Sequence, residues 1–172
     1  GGRHLNRAGV RLANPRCAAA SRSRMLAPTA PAPRTARDSQ AMSIPRDTRV
    51  LVVDDFESMR RIVRQLLHDM GFRDITLADD GSTALAMLRQ GSFGLLVTDW
   101  HMPQMDGIDL VRAVRADPRL HPIPILMVSA QATREQIVEA VNAGVNDYVV
   151  KPFTPQTLQA KIAKLFEPPG TR

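Results

Sequence analysis

An open α/β fold, with a five-stranded parallel sheet doubly wound by helices on both faces, is what residues 46–168 predict. Two observations point to it: five short runs apolar at every position, and five intervening segments apolar along one helical side. A strand apolar on both faces is one that helices cover from both sides, as in a parallel sheet. Strict alternation of the two patterns then implies strand–helix units with right-handed crossovers.

The first strand is Val50-Leu51-Val52-Val53. After it Met59, Ile62, Val63, Leu66, Leu67 and Met70 advance in steps of three and one, drawing a single apolar stripe that Gly71 stops. Ile75-Thr76-Leu77-Ala78 is the second strand, and a helix from about Gly81 to Arg89 turns Leu85 and Leu88 inward before Gly91. Leu95-Leu96-Val97-Thr98 leads to a helix around Ile108 to Arg115 that ends before Asp117-Pro118. Ile125-Leu126-Met127-Val128 precedes a helix with Ile137, Val138 and Val141 on one side and Gly144 as its stop. Tyr148-Val149-Val150 is the last strand. The last helix opens with Thr154 as N-cap and Pro155 at its first position, and its stripe is Leu158, Ile162, Leu165 and Phe166. Pro168-Pro169 closes the domain.

The 172 residues suffice for one core and a tail. Hydrophobic residues at 44% and charged residues at 23% suit a soluble globular protein. A single Cys excludes a disulfide framework, and no apolar run approaches the ~18 residues of a membrane span. The net charge of +6 is uneven: residues 1–41 hold eight Arg and one acid, whereas residues 42–172 hold fifteen basic and sixteen acidic side chains. Residues 1–45, rich in Arg, Ala and Pro, are expected to be disordered. Their composition also suits a transit peptide or a polybasic arm, though the arm lacks aromatic residues to stack on bases. The favoured expectation is that Met42 is the natural start, with upstream sequence before it. Residues 169–172 are expected to form a short second tail.

In a doubly wound sheet, ligand chemistry lies beyond the C-terminal ends of the strands. Asp54 and Asp55 follow the first strand, Asp99 the third, Ser129 the fourth and Lys151 the fifth. Taken singly each has a plain alternative: Asp54, Asp55 or Ser129 as a helix cap, Lys151 as a solvated loop lysine. Their coincidence on one rim argues for a site. Two carboxylates ~5 Å apart repel by about 3 kcal/mol at an effective dielectric near 20, so a cluster of three needs a compensating cation. With oxygen ligands alone on offer, a hard ion is favoured, Mg²⁺ above Zn²⁺. An ammonium and a hydroxyl aimed at the same place suit a phosphoryl group, and a carboxylate can be its acceptor.

Val52-Val53-Asp54-Asp55, Thr98-Asp99-Trp100-His101-Met102-Pro103-Gln104-Met105-Asp106-Gly107, Val128-Ser129-Ala130 and Val150-Lys151-Pro152-Phe153 resemble the signature of response-regulator receiver domains. The resemblance covers residues 46–167 and is nearest to the single-domain chemotaxis members. It implies the flavodoxin-like (βα)5 strand order 2-1-3-4-5. It also implies that Asp99 is phosphorylated by a histidine kinase, and that Mg²⁺ is held by Asp55, Asp99 and the backbone carbonyl of His101, with Asp54 acting through water. Lys151 would pair with the acyl phosphate across a cis bond to Pro152, and Ser129 and Tyr148 would switch on modification. Ala132, Ile137, Tyr148, Val150, Lys161 and Lys164 match the positions that meet the flagellar motor switch protein. By the same resemblance the protein is a cytoplasmic bacterial signalling protein, probed by a phosphatase in some relatives, monomeric and not a classical enzyme.

His101 and Gln131 depart from the chemotaxis pattern at positions bordering the path of the hydrolytic water, which bears on how long the acyl phosphate lasts. Trp100 and Met102 are expected to pack against the pocket. Two other functions remain open at this stage. One is a phosphorelay or developmental receiver that docks another kinase. The other is a small phosphatase on the same fold, although Asp54-Asp55-Phe56 stands where a Gly-rich phosphate loop would be. With nothing after the last helix but a short tail, no separate output domain is expected.

Overall fold

Each fully apolar run becomes a strand. A computed structural model describes residues 47–131 and 133–167. The two expected tails, Pro168-Pro169 and Ala132 lie outside the described residues. The element order is β1 (Val50–Val53), α1 (Glu57–Asp69), β2 (Ile75–Ala78), α2 (Gly81–Gln90), β3 (Leu95–Asp99), α3 (Gly107–Ala116), β4 (Ile125–Ser129), α4 (Arg134–Ala143), β5 (Asp147–Val150) and α5 (Pro155–Leu165).

The strands pair in parallel in the order β2-β1-β3-β4-β5. β1, β3 and β4 are buried at every position, while edge strands β2 and β5 are only partly covered. Alternate residues feed two apolar layers. Leu51, Val53, Leu96, Ile125 and Met127 pack with Leu85 and Leu88 of α2 and with Val111 and Val114 of α3. Val50, Val52, Leu95, Val97, Leu126 and Val128 pack with Val63 and Leu67 of α1 and with Leu158 and Ile162 of α5. Helices on both faces are what double winding requires. The chain runs from β1 outward to β2, then returns past β1 to β3, so β1 and β3 diverge at the point where ligands bind in such sheets.

Caps fall where the sequence places them on α5, where Thr154 Oγ1 accepts the Thr157 N–H and Pro155 is the first residue. Gly71 and Gly144 both have a positive φ, +99° and +97°, which costs glycine no steric strain. On α1 the stripe is narrower than its periodicity suggests. Val63 and Leu67 are buried, but Ile62 is half exposed because neighbouring elements cover only the middle of the stripe. On α4 the inward residue is Ala140, and Ile137, Val138 and Val141 face solvent. Among the described residues no helix is long and apolar enough to cross a membrane.

Candidate functional site

Register brings the strand-end residues onto one rim. Val53 is level with Thr98, Asp99 with Val128, and Ser129 with Val150, so Asp54, Asp99, Ser129 and Lys151 occupy successive strand ends. Neither acidic neighbour of β1 caps α1: its N-cap is Phe56, without a side-chain cap, and Asp54 Oδ1 instead accepts the Phe56 N–H at 2.9 Å. Ser129 is no cap either, because α4 has its own capping box between Thr133 and Gln136. The plain alternatives for these residues therefore fall away.

Lys151 Nζ lies 2.7 Å from Asp54 Oδ2 and 2.6 Å from Asp99 Oδ1. Asp54 and Asp99 are both buried, as is Ser129. Asp99 Oδ2 accepts the His101 N–H at 3.0 Å. Burial pushes the Asp99 carboxyl above its ordinary pKa, with the Asp54 charge adding to it and the Lys151 contacts opposing. Burial works against the Lys151 ammonium too, but hydrogen bonds and charge from Asp54 and Asp99 outweigh it and raise its pKa. At Asp99 burial prevails over the ammonium, whereas at Lys151 the two carboxylates together prevail over burial. The Lys151–Pro152 peptide is cis.

Asp55 behaves differently. Its Oδ1 is buried and makes no hydrogen bond, a costly state for a carboxylate oxygen. Among the described residues no three acidic, His or Cys side chains already stand together in metal-ligating geometry. Lys151 serves as the internal cation for Asp54 and Asp99. The residues nonetheless fit a hard divalent ion: oxygen donors only, with a buried carboxylate oxygen left unpartnered on Asp55, the residue after Asp54.

Arg60 holds this acidic turn from behind. Its Nη1 donates to the backbone carbonyls of Asp54 at 2.5 Å and Asp55 at 3.1 Å. In the sequence Arg60 shows only as a basic residue a turn into the helix after the acidic pair. Gly107 is equally specific: a Cβ there would come within 1.9 Å of the Asp99 carbonyl, so the turn after β3 closes only on glycine. Trp100 and Met102 are buried in the layer beneath, as expected, while His101 and Gln131 are exposed.

Ser129 Oγ accepts the Gln131 N–H at 3.3 Å. The Tyr148 hydroxyl donates to the Gln131 carbonyl, and its ring stands edge-on to Trp100 with centroids 6.5 Å apart. Further along this face, Ile137 and Val150 are exposed at 42% and 43%. Lys161 and Lys164 are not free: both ammonium groups reach Asp147, at 2.6 and 3.4 Å. Asp147 went unremarked in the sequence, since no periodicity links it to residues 14 and 17 positions later.

The sequence profile of the response regulator receiver domain matches residues 50–163. The chain is 62% identical over 119 residues to chemotaxis protein CheY of Pseudomonas aeruginosa, a match covering 69% of this chain and 96% of that one. Its fold is similar to the crystal structure of Vibrio cholerae chemotaxis protein CheY4 (TM-score 0.66, 34% identity, 69% of this chain and 98% of that chain). It is also similar to the receiver domain of a Pseudomonas aeruginosa sensor histidine kinase, which has a magnesium ion coordinated in its active-site cleft (TM-score 0.64, 27% identity, 70% and 98% covered). A profile match across all five strands, over the same strand ends that Lys151 ties together, carries one conclusion: this chain belongs to the response regulator receiver domain family.

Proposed function

We propose that Asp99 accepts a phosphoryl group from a phosphohistidine of a sensor kinase, and that this modification switches the α4–β5–α5 face for a target, the flagellar motor switch in chemotaxis. The supporting observation is the Lys151 ammonium placed between Asp54 and Asp99, with an unpartnered Asp55 oxygen alongside. An Asp99 oxygen attacks phosphorus, the bond from phosphorus to the donor imidazole nitrogen breaks, and the imidazole leaves with the electron pair and takes a proton. The product is an acyl phosphate on Asp99. Asp55, Asp99 and the His101 carbonyl would hold Mg²⁺, with Asp54 through water. When bound, Mg²⁺ neutralises charge on the phosphoryl oxygens. Lys151 keeps one positive charge at the carboxylate being modified, where a low-dielectric setting makes it effective.

The way out of the site runs through Gln131. Its N–H rests on Ser129 Oγ and its carbonyl on the Tyr148 hydroxyl. When Ser129 turns to hydrogen-bond a phosphoryl oxygen, the Gln131 peptide loses one anchor and Tyr148 is released from the other. A charge change at Asp99 thereby reaches a side chain on the docking face. His101 and Gln131, both exposed, would set how readily water attacks the acyl phosphate. The proposed setting is the bacterial cytoplasm, with an exposed Ile137 suited to an amphipathic partner.

Acetyl phosphate with Mg²⁺ should label the native chain and not Asp99→Asn. The beryllofluoride form should bind a motor-switch peptide more tightly than the free form. Labelling of Asp99→Asn refutes the phosphoacceptor. Labelling without a gain in peptide affinity refutes the chemotaxis target and favours a phosphorelay.

A further inference from the structure

Three charged side chains on the β5–α5 surface form a cluster that the phosphoacceptor chemistry does not use. Asp147 Oδ1 accepts from Lys161 Nζ at 2.6 Å and from the Tyr148 N–H at 2.8 Å. Its Oδ2 is buried without a hydrogen bond, and Lys164 Nζ approaches it only as a charge contact at 3.4 Å. Two ammonium groups face one carboxylate, so one positive charge is in excess. Exposure decides where that excess lies: the Asp147 side chain is 10% exposed, Lys161 34% and Lys164 52%.

We infer that Asp147 is a built-in competitor for the anionic contact of the docking face: it retains Lys161 and leaves Lys164 as the lysine that an incoming carboxylate captures. This rests on the target-binding reading above and sharpens it. The partner is an amphipathic segment whose apolar residues meet Ile137 or Val150 and whose carboxylate takes Lys164 from Asp147. Charge complementarity carries the assignment, since the surplus cation is held at β5, the edge strand that also bears exposed Val150. Because Asp147 also holds the Tyr148 N–H, the competitor is fixed to the strand that bears the switch tyrosine.

The test uses the full chain and a fluorescent motor-switch peptide, with its carboxylates intact or amidated, with and without beryllofluoride. Asp147→Asn keeps an oxygen for the Tyr148 N–H while removing the competing charge. It should bind the intact peptide about three- to tenfold more tightly at low ionic strength, with the gain lost in high salt and absent for the amidated peptide. The gain should also vanish in the Lys164→Gln background. A second readout needs no substitution: on adding peptide, the Cε–Hε resonance of Lys164 should shift while that of Lys161 stays. An unchanged or weaker Asp147→Asn, a gain that survives Lys164→Gln, or equal shifts of both lysines overturns the inference. If beryllofluoride still raises affinity, that failure is the inference's alone. No binding by any form removes the target reading and the inference together.

Discussion

Lys151 and Asp99 are separated by 52 positions in the chain, yet the ammonium of one lies 2.6 Å from a carboxylate oxygen of the other. Asp54, still more distant in sequence, shares that ammonium at 2.7 Å. The site therefore carries part of its charge compensation within the chain, and its energetics follow from how one cation is divided.

At Asp99 burial outweighs the contacts from Lys151. The folded-state pKa of Asp99 is raised by burial, so the folded protein binds this proton more tightly than the unfolded chain does. Stability therefore falls as pH rises from the ordinary carboxylate range, near 4, through the raised value. Asp99→Asn should melt a few degrees higher than the native chain at neutral pH without divalent cation. The difference should close in acid, where native Asp99 is also neutral. Parallel melting curves across pH check this, and a lower melting temperature for the variant at pH 7 contradicts it.

Lys151→Ala leaves two buried carboxylates facing each other. Breaking a buried pair by removing one partner costs about 3 kcal/mol. Mg²⁺ and the ammonium compensate overlapping charges, so millimolar Mg²⁺ should stabilise the variant more than the native chain. Thermal shift with and without Mg²⁺ measures both effects. An equal Mg²⁺ shift in the two proteins would show that the ion and the lysine act on separate groups.

Gly107→Ala should destabilise the fold by about 2 kcal/mol or more, since the new Cβ meets backbone that cannot rotate away. The Asp99 carbonyl must move, so labelling by acetyl phosphate should slow as well. Urea unfolding and labelling rates report the two effects, and a native-like midpoint would argue that the turn after β3 is loosely held.

Thr133 caps α4 through a reciprocal box with Gln136. Thr133→Ala should cost about 1 kcal/mol, and amide exchange should rise in the first turn of α4 before it rises in the sheet. Exchange rising uniformly would mean that the helix and the sheet open together.

The folding elements were legible because burial on two faces leaves a mark at every position of a short run. Val50–Val53 and Ile125–Val128 are read as strands from their fully apolar runs, and the strands found are Val50–Val53 and Ile125–Ser129. The strand-end residues were legible for a related reason: Asp54, Asp99, Ser129 and Lys151 each sit where an apolar run stops, and parallel register puts such stops on one rim. Arg60 was not legible, since its contacts are to backbone carbonyls, which the amino-acid pattern does not display.

The amino-acid order by itself determined the period of each element, the glycines and caps that end them, and the class of side chain delivered to each strand end, because these depend on neighbours within a few residues. Folding in three dimensions decided the rest. It set whether the apolar side of α4 met the core or the solvent, that Asp147 would gather Lys161 and Lys164, and that Asp55 and Asp147 would each keep a buried oxygen without a hydrogen bond. A helical stripe reports that a side is apolar without saying what covers it. Pairing between charges depends on which distant segments the sheet order places side by side.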